Sequence, residues 1–212
     1  CSGDNEKVEG VKRMSTDAIM SYISECSHAG RLEFQVSIQC APVLKGIKAS
    51  NLVTMAKGSL QTVRSALAGT EITAVMLAAG DRTEVLFLYR FPMLKALLAN
   101  KEIRKFLKSC GYVQFDLASI LMGLKRKYTA YLAGSGEFPH ELGVLLEYPV
   151  EDVKDFIRYN GEKFLFTGYW KVYHNPAQAR LKFTRYDRAR EAAMQQIING
   201  SRLYEVAVRK GE

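Results

Sequence analysis

A thiol, an imidazole and a carboxylate can act as a nucleophile, its base and the group that orients the base. The chain supplies these types at Cys40, His140 and Glu141. Cys40 is followed by Pro42, Gly46 and Lys48, and the His140–Glu141 pair stands just after a glycine-rich turn in GEFPHELGVLLEYPVEDVKDFIRYNG, residues 136–161. Both stretches pair a restricted backbone with reactive side chains, as functional loops often do. The chemistry needs contact: thiol and ring nitrogen must come within hydrogen-bond reach, where an imidazolium favours the thiolate. Each residue also has an ordinary structural role. Cysteine is among the most frequently buried residues, and a histidine after Pro139 can brace a turn by bonding a backbone carbonyl. Position 144 is Val, so the second histidine of a zinc-binding HExxH is missing and no metal site is expected.

A second constellation is aromatic and basic. Tyr112, Tyr148, Tyr159, Tyr169, Trp170 and Tyr173 are a rich supply of ring surface, and GYWKVY places rings on both faces of an expected strand. A pocket using Lys48, Asn51, Tyr169 and Trp170, with His140 and an arginine at its rim, would suit a small anionic or planar ligand. Aromatic strands are also simply good strands. Arg180, Lys182, Arg185, Arg188 and Arg190 fall close together, with Arg180, Arg185 and Arg188 the candidate anion-binding residues, and Lys125, Arg126 and Lys127 form a second basic run. Were the two runs to share a surface, phosphates of nucleic acid could bind there. Asp187 and Glu191 interrupt the first run, as they would on a salt-bridged helix face. Neither GxGxxG nor GxxxxGK[ST] occurs, so no dinucleotide or P-loop site is indicated and the cofactor is unknown. Three functions stay open: a small-ligand pocket near Cys40 and His140 with or without thiol chemistry, a basic nucleic-acid binder, and an interaction domain without catalysis.

The elements that must position these residues follow from periodicity. Alternation in FQVSIQC, residues 34–40, predicts a strand, and APVLKGIKASNL reads as a loop turning into a helix. Ser59 caps a helix that Gly69 stops. The runs 72–79 and 83–90 read as strands joined through Gly80–Asp81, apolar enough to lie mid-sheet. Helices follow in FPMLKALLAN, in KEIRKFLKSCG and, with Asp116 as N-cap, in FDLASILMGLKRKYTAYL. Pro139 opens a short helix, Pro149 begins another, and Asn160–Gly161 ends it. A strand is expected over 163–172, the longest helix from Pro176 to about Asn199, and a closing strand in SRLYEVAV. The expected fold is α/β or α+β: a flexible tail over 1–13, then one domain, 14–212, with a central mixed sheet flanked by helices.

At 48% hydrophobic and 25% charged, the chain is rich enough in apolar residues to bury a core and is neither disordered nor fibrous. Its formal net charge of +8 permits attraction to phosphates but does not demand it. Cys1, Cys26, Cys40 and Cys110 lie far apart, which suits reduced thiols in the cytoplasm better than a disulfide framework. No run reaches the roughly 18 apolar residues of a membrane-spanning helix, and no signal peptide is evident. Cys1 has three readings, a lipidated first residue, a fragment start or an expression remnant; Met14 would serve as a natural start.

QCAPVLKGIKASNL, the LYR of residues 88–90, SCGY, PHELGVLLEYPVEDVKDFI and GYWKVY together resemble a bacterial family of unknown function, found mostly in anaerobic gut and clostridial-type organisms. The resemblance spans roughly residues 34–186 and falls most specifically on Gln39–Lys48, Phe138–Gly143 and Tyr148–Val153. It departs at Glu147 and Ala49, where the family pattern has a small residue and a proline. The resemblance implies a bacterial cytoplasmic protein, and it implies no reaction, ligand or catalytic residue.

Overall fold

The computed structural model describes residues 15–208. The expected tail, Cys1 and Met14 lie outside the described residues. Two serine-capped helices come first: Ser15 accepts from Ala18 N at the start of α1 (Thr16–Glu25), and Ser27 accepts from Gly30 N at the start of α2 (His28–Gln39). The strand expected at residues 34–40 is therefore the second half of a helix. Leu32, Val36 and Cys40 keep the i, i+4 spacing, and burial of Glu33, Phe34 and Ser37 on neighbouring sides conceals that stripe. The Ser27 cap, upstream of the alternating window, commits the segment to helix.

Cys40 leads into α3 (Ala41–Leu44), with Pro42 in its first turn. The next segment, expected as a loop entering a helix, is instead β1 (Ser50–Ala56). Ser59 stands before α4 (Leu60–Ala66) as expected, but its hydroxyl donates to Ala56 O. The buried Glu84 carboxylate caps the helix from across the sheet, accepting from Gly58 N at 3.0 Å and Leu60 N at 2.6 Å.

β2 (Ile72–Ala79) and β3 (Thr83–Arg90) form the expected hairpin, closed by a Gly80 N to Thr83 O bond. The main sheet runs β1–β3–β2 and is antiparallel at both junctions, not mixed. With β3 central, its near-continuous apolarity has a direct cause. Leu86 and Leu88 enter one core with Val53, Met55 and α2; Val85, Phe87 and Tyr89 enter a second core on the opposite face. A bulge between Met76 and Ala78 lets Leu77 and Ala78 both join the second core.

The second face is covered by α5 (Phe91–Ala99), α6 (Lys101–Ser109), α7 (Leu117–Leu132), α8 (Glu141–Leu145) and α9 (Val150–Arg158). Asp116 caps α7 by accepting from Ser119 N, as expected. Pro149 sits one residue before α9, extended at ψ 135°. Asn160 (φ 49°) and Gly161 (φ 76°) supply the left-handed exit.

Residues 163–172 do not add a strand to the main sheet. The chain doubles back at Gly168 into a separate ladder of β4 (Phe166–Thr167) and β5 (Lys171–Val172). That ladder packs on α10 (Pro176–Ile198), and a Cβ at Gly168 would lie 2.2 Å from Phe183, so only glycine allows this approach. Trp170, Val172, Phe183 and Tyr186 form a third apolar cluster there. The expected closing strand is α11 (Leu203–Val206). Glu205 accepts from Arg202 N, and buried Glu33 accepts from Leu203 N while pairing with the Arg202 guanidinium, so side chains from two elements secure this helix start. The architecture is α+β in one domain, a three-stranded sheet with helices on both faces. Among the described residues no helix is long and apolar enough to cross a membrane.

Candidate functional site

β1 is an edge strand, and α8 docks beside it through two polar contacts. Ser50 Oγ donates to Leu145 O at 2.6 Å, and Ala49 N donates to Glu147 Oε2 at 3.0 Å. This docking holds the turn before α8 opposite the end of α2. The 166–172 hairpin closes the third side, leaving a cavity of about 570 Å³. That volume falls among small-molecule sites, which span roughly 300–1,000 Å³.

The walls are mostly apolar and aromatic. Phe138, Tyr148, Phe156, Tyr169 and Trp170 line the cavity with Leu142, Leu146 and Val153. Tyr148 stacks on Trp170 with centroids 5.2 Å apart, and His140 lies between Phe138 and Phe156 at 5.4 and 5.5 Å. The hairpin's orientation depends on Asp152 in the first turn of α9. Its carboxylate accepts from Trp170 Nε1 at 2.7 Å, Tyr173 N at 3.1 Å and His174 N at 2.9 Å. Three donors satisfy this buried carboxylate, which therefore acts as a brace for the indole.

The charged groups at the cavity are mostly cationic, three against the one carboxylate of Asp152. Lys48, Lys171 and Arg190 line it. Lys171 Nζ donates to Gly161 O at 2.7 Å, and Arg190 pairs with exposed Asp187 at 3.1 Å. Lys48 is only 2% exposed. Its ammonium donates to Asn51 Oδ1 at 2.6 Å and lies 5.7 Å from the Tyr148 ring centroid and 5.6 Å from that of Tyr186. Burial lowers its pKa from 10.5 to about 8, against the raising influence of Cys40 and Glu147. Lys182 is lowered by burial too, with its Nζ donating to Glu147 O at 2.9 Å. Asn51 also donates to Gln39 O, which fixes its carbonyl oxygen toward Lys48.

The residues expected at a ligand pocket from sequence thus meet at one cavity: Lys48, Asn51, Tyr169, Trp170 and His140 all line it. Cys40 and Glu141 do not. The Cys40 thiol is fully buried at the α2–α3 junction, 3.8 Å from Asn51 Nδ2, and desolvation pushes its pKa up to about 12. Such a thiol stays protonated at neutral pH and is a poor nucleophile. Glu141 is buried and turned toward Tyr112 OH (3.1 Å) and Lys127 Nζ (2.7 Å), so its carboxylate is committed to a buried ion pair. The three parts of a thiol relay are not brought into mutual contact.

Arg180, Arg185 and Arg188 project from the exposed side of α10; Arg180 packs over Phe166 at 4.2 Å. The arginine at the cavity is Arg190, two residues beyond the anticipated set. The Lys125–Lys127 run lies on α7, whose Ile120 and Leu124 enter the core on one face of the sheet. Ala189 and Ala193 of α10 enter the core on the other. Lys127 is drawn inward by Glu141, so the two basic runs do not join.

Asp152, Phe156, Lys171 and Arg190 were not anticipated as site residues. Asp152 reads in sequence as a carboxylate at a helix N-terminus, and nothing local shows that it turns toward Trp170. Lys171 adjoins Trp170 in a run whose doubling back is signalled only by Gly168.

A family model described as "Protein of unknown function (DUF3793)" matches residues 36–207. No curated protein and no solved structure matches the chain.

Proposed function

The chain belongs to the DUF3793 family, and we propose that it binds a small, planar, anionic molecule in the cavity between α2, α8, α9 and the 166–172 hairpin. One observation carries the reading: buried Lys48 lines an aromatic-walled cavity of about 570 Å³ where, among the described residues, the sole lining carboxylate, Asp152, is already engaged by three donors. The rings offer flat apolar surface for stacking, and Lys48, Lys171 and Arg190 supply positive charge at the wall, with Arg190 shared with exposed Asp187. The proposal includes no thiol step, because Cys40 is buried away from the cavity wall and held protonated. A cytoplasmic setting belongs to the same proposal, supported by Cys26, Cys40 and Cys110 being free thiols, and a bacterial origin belongs to it on the sequence resemblance alone. Nucleic acid is the weaker alternative, since the basic runs sit on different helices, α7 packed into the second core and the first half of α10 packed on the 166–172 hairpin, and Lys127 is taken up by Glu141.

Trp170 is the chain's single tryptophan and lines the cavity, so its emission reports occupancy. The test is titration with phenyl phosphate, 4-(hydroxymethyl)benzoate and the neutral 4-(hydroxymethyl)benzamide. A saturable change is expected with at least one anion, with the amide weaker by about tenfold or more, the equivalent of one lost charge-assisted bond. The reading fails if neither anion gives saturation, or if amide and benzoate bind alike.

A further inference from the structure

We propose that Lys48 is a covalent capture residue, forming an imine with the carbonyl group of a planar anionic aldehyde or ketone held in the cavity. The inference rests on the binding reading above and adds a chemical step to it. Geometry motivates it. Lys48 lines the cavity and is 2% exposed, yet among the described residues its Nζ makes no ion pair and only one hydrogen bond, to Asn51 Oδ1. A lysine whose role was to neutralise a buried acid would contact that acid. Here the amine meets instead the rings of Tyr148 and Tyr186 and the amide of Asn51. The Asn51 oxygen accepts one N–H and so orients the amine, and the apolar surroundings disfavour its protonated form.

The groups facing Lys48 that carry or change charge come from every element around it. They are the Cys40 thiol at the α2–α3 junction, Glu147 and Tyr148 after α8, and Lys182 and Tyr186 on α10. Cys40, Tyr148 and Tyr186 are all raised by burial and stay neutral at neutral pH. Glu147 favours the ammonium and Lys182 opposes it, while burial outweighs both and leaves the amine titrating at about 8. At pH 7 about one such amine in ten is uncharged, against roughly one in a few thousand for an ordinary lysine.

The step balances without an oxidant or reductant. The uncharged Nζ donates its lone pair to the carbonyl carbon, forming the C–N bond, while the C=O π pair moves onto oxygen. The two protons of Nζ end on that oxygen, the C–O bond breaks, and water leaves as the C=N bond forms. The released water leaves to bulk solvent, an apolar-walled cavity that holds little water disfavours hydrolysis of the imine, and the ligand's anionic group would remain toward Lys171 and Arg190.

The experiment uses a matched pair of probes with the full chain. 4-Formylbenzoate is incubated with the protein and reduced by cyanoborohydride, and the labelled lysines are located by peptide mass spectrometry. 4-(Hydroxymethyl)benzoate, which cannot form an imine, is titrated against Trp170 emission in parallel. Labelling is expected at Lys48 first, near one equivalent, suppressed by excess 4-(hydroxymethyl)benzoate. Its initial rate should rise with pH and level off above about 8, while exposed Lys125 labels slowly. Lys48→Arg abolishes the preferential adduct and Lys125→Arg leaves it intact. The wild-type pH profile carries the same information should Lys48→Arg fold poorly. Label spread without preference for Lys48, while the alcohol still shifts Trp170, overturns the imine and spares the binding reading. Absence of both signals overturns both.

Discussion

Replacing Lys48 with methionine should make the protein more stable at neutral pH and remove a specific pH dependence. Methionine approximates the length of the lysine stem without its charge. In the folded protein the amine titrates at about 8, against its ordinary 10.5. At about 1.4 kcal/mol for each tenfold change in proton affinity, that gap is an opposing contribution of about 3 kcal/mol when the group is charged. Methionine removes this cost but loses the bond to Asn51 Oδ1, and leaving that acceptor unpaired costs roughly 1–3 kcal/mol. The net gain at pH 7 is therefore small, about 1 kcal/mol. The pH dependence is the sharper quantity. A folded-state pKa below the unfolded one means that the unfolded chain binds more protons between about 8 and 10.5, so stability rises with pH across that window. Urea unfolding of wild type and Lys48→Met at intervals from pH 7 to pH 10 isolates the effect, because most other titrations cancel in the difference. The stability difference between variant and wild type should fall by roughly 2 to 3 kcal/mol from pH 7 to pH 10, turning from about 1 kcal/mol in favour of methionine to about 1–2 kcal/mol against it. A difference that stays flat, or grows with pH, would refute the claim that Lys48 is buried without an adequate counter-charge.

Asp152→Asn keeps an acceptor for the Tyr173 and His174 amides but can turn an amide donor against Trp170 Nε1. A loss of about 2–3 kcal/mol in urea unfolding is expected, with Trp170 emission moving to longer wavelength. Glu141→Ala breaks the buried pair with Lys127 and the bond to Tyr112 and should cost roughly 2–3 kcal/mol, Lys127 being able to reach solvent. The folded variant should bind 4-(hydroxymethyl)benzoate as wild type does, and an affinity loss would show Glu141 acting on the cavity. Iodoacetamide should label Cys40 at pH 8 roughly a thousandfold more slowly in the folded protein than in urea, from its ionisation alone; comparable rates would mean that the thiol is neither buried nor raised to about 12.

Local chemistry alone determined much of this protein. The helix cap at Asp116, the start of the longest helix at Pro176, the left-handed exit at Asn160–Gly161, and the Gly80–Asp81 hairpin depend on neighbours a few residues away, and the structure keeps each of them. The convergence of Lys48, Asn51, His140, Tyr169 and Trp170 on one cavity was also anticipated, since each lies in or beside a segment whose glycine or proline marks it as irregular. Tertiary structure decided what side-chain period alone leaves ambiguous. In residues 34–40, burial on several sides lets helical and strand patterns coexist, and the Ser27 cap with packing against α10 and β1 selects helix. Residues 163–172 have strand-forming side chains throughout, but the close approach of Gly168 to Phe183 folds them back on themselves. The charge and direction of ionisable groups were decided at longer range still. Asp152 turns to Trp170 of the hairpin, Glu141 of α8 turns to Lys127 of α7, and Lys48 meets the rings of Tyr148 and Tyr186, because each of these partners comes from a different element that only packing brings near.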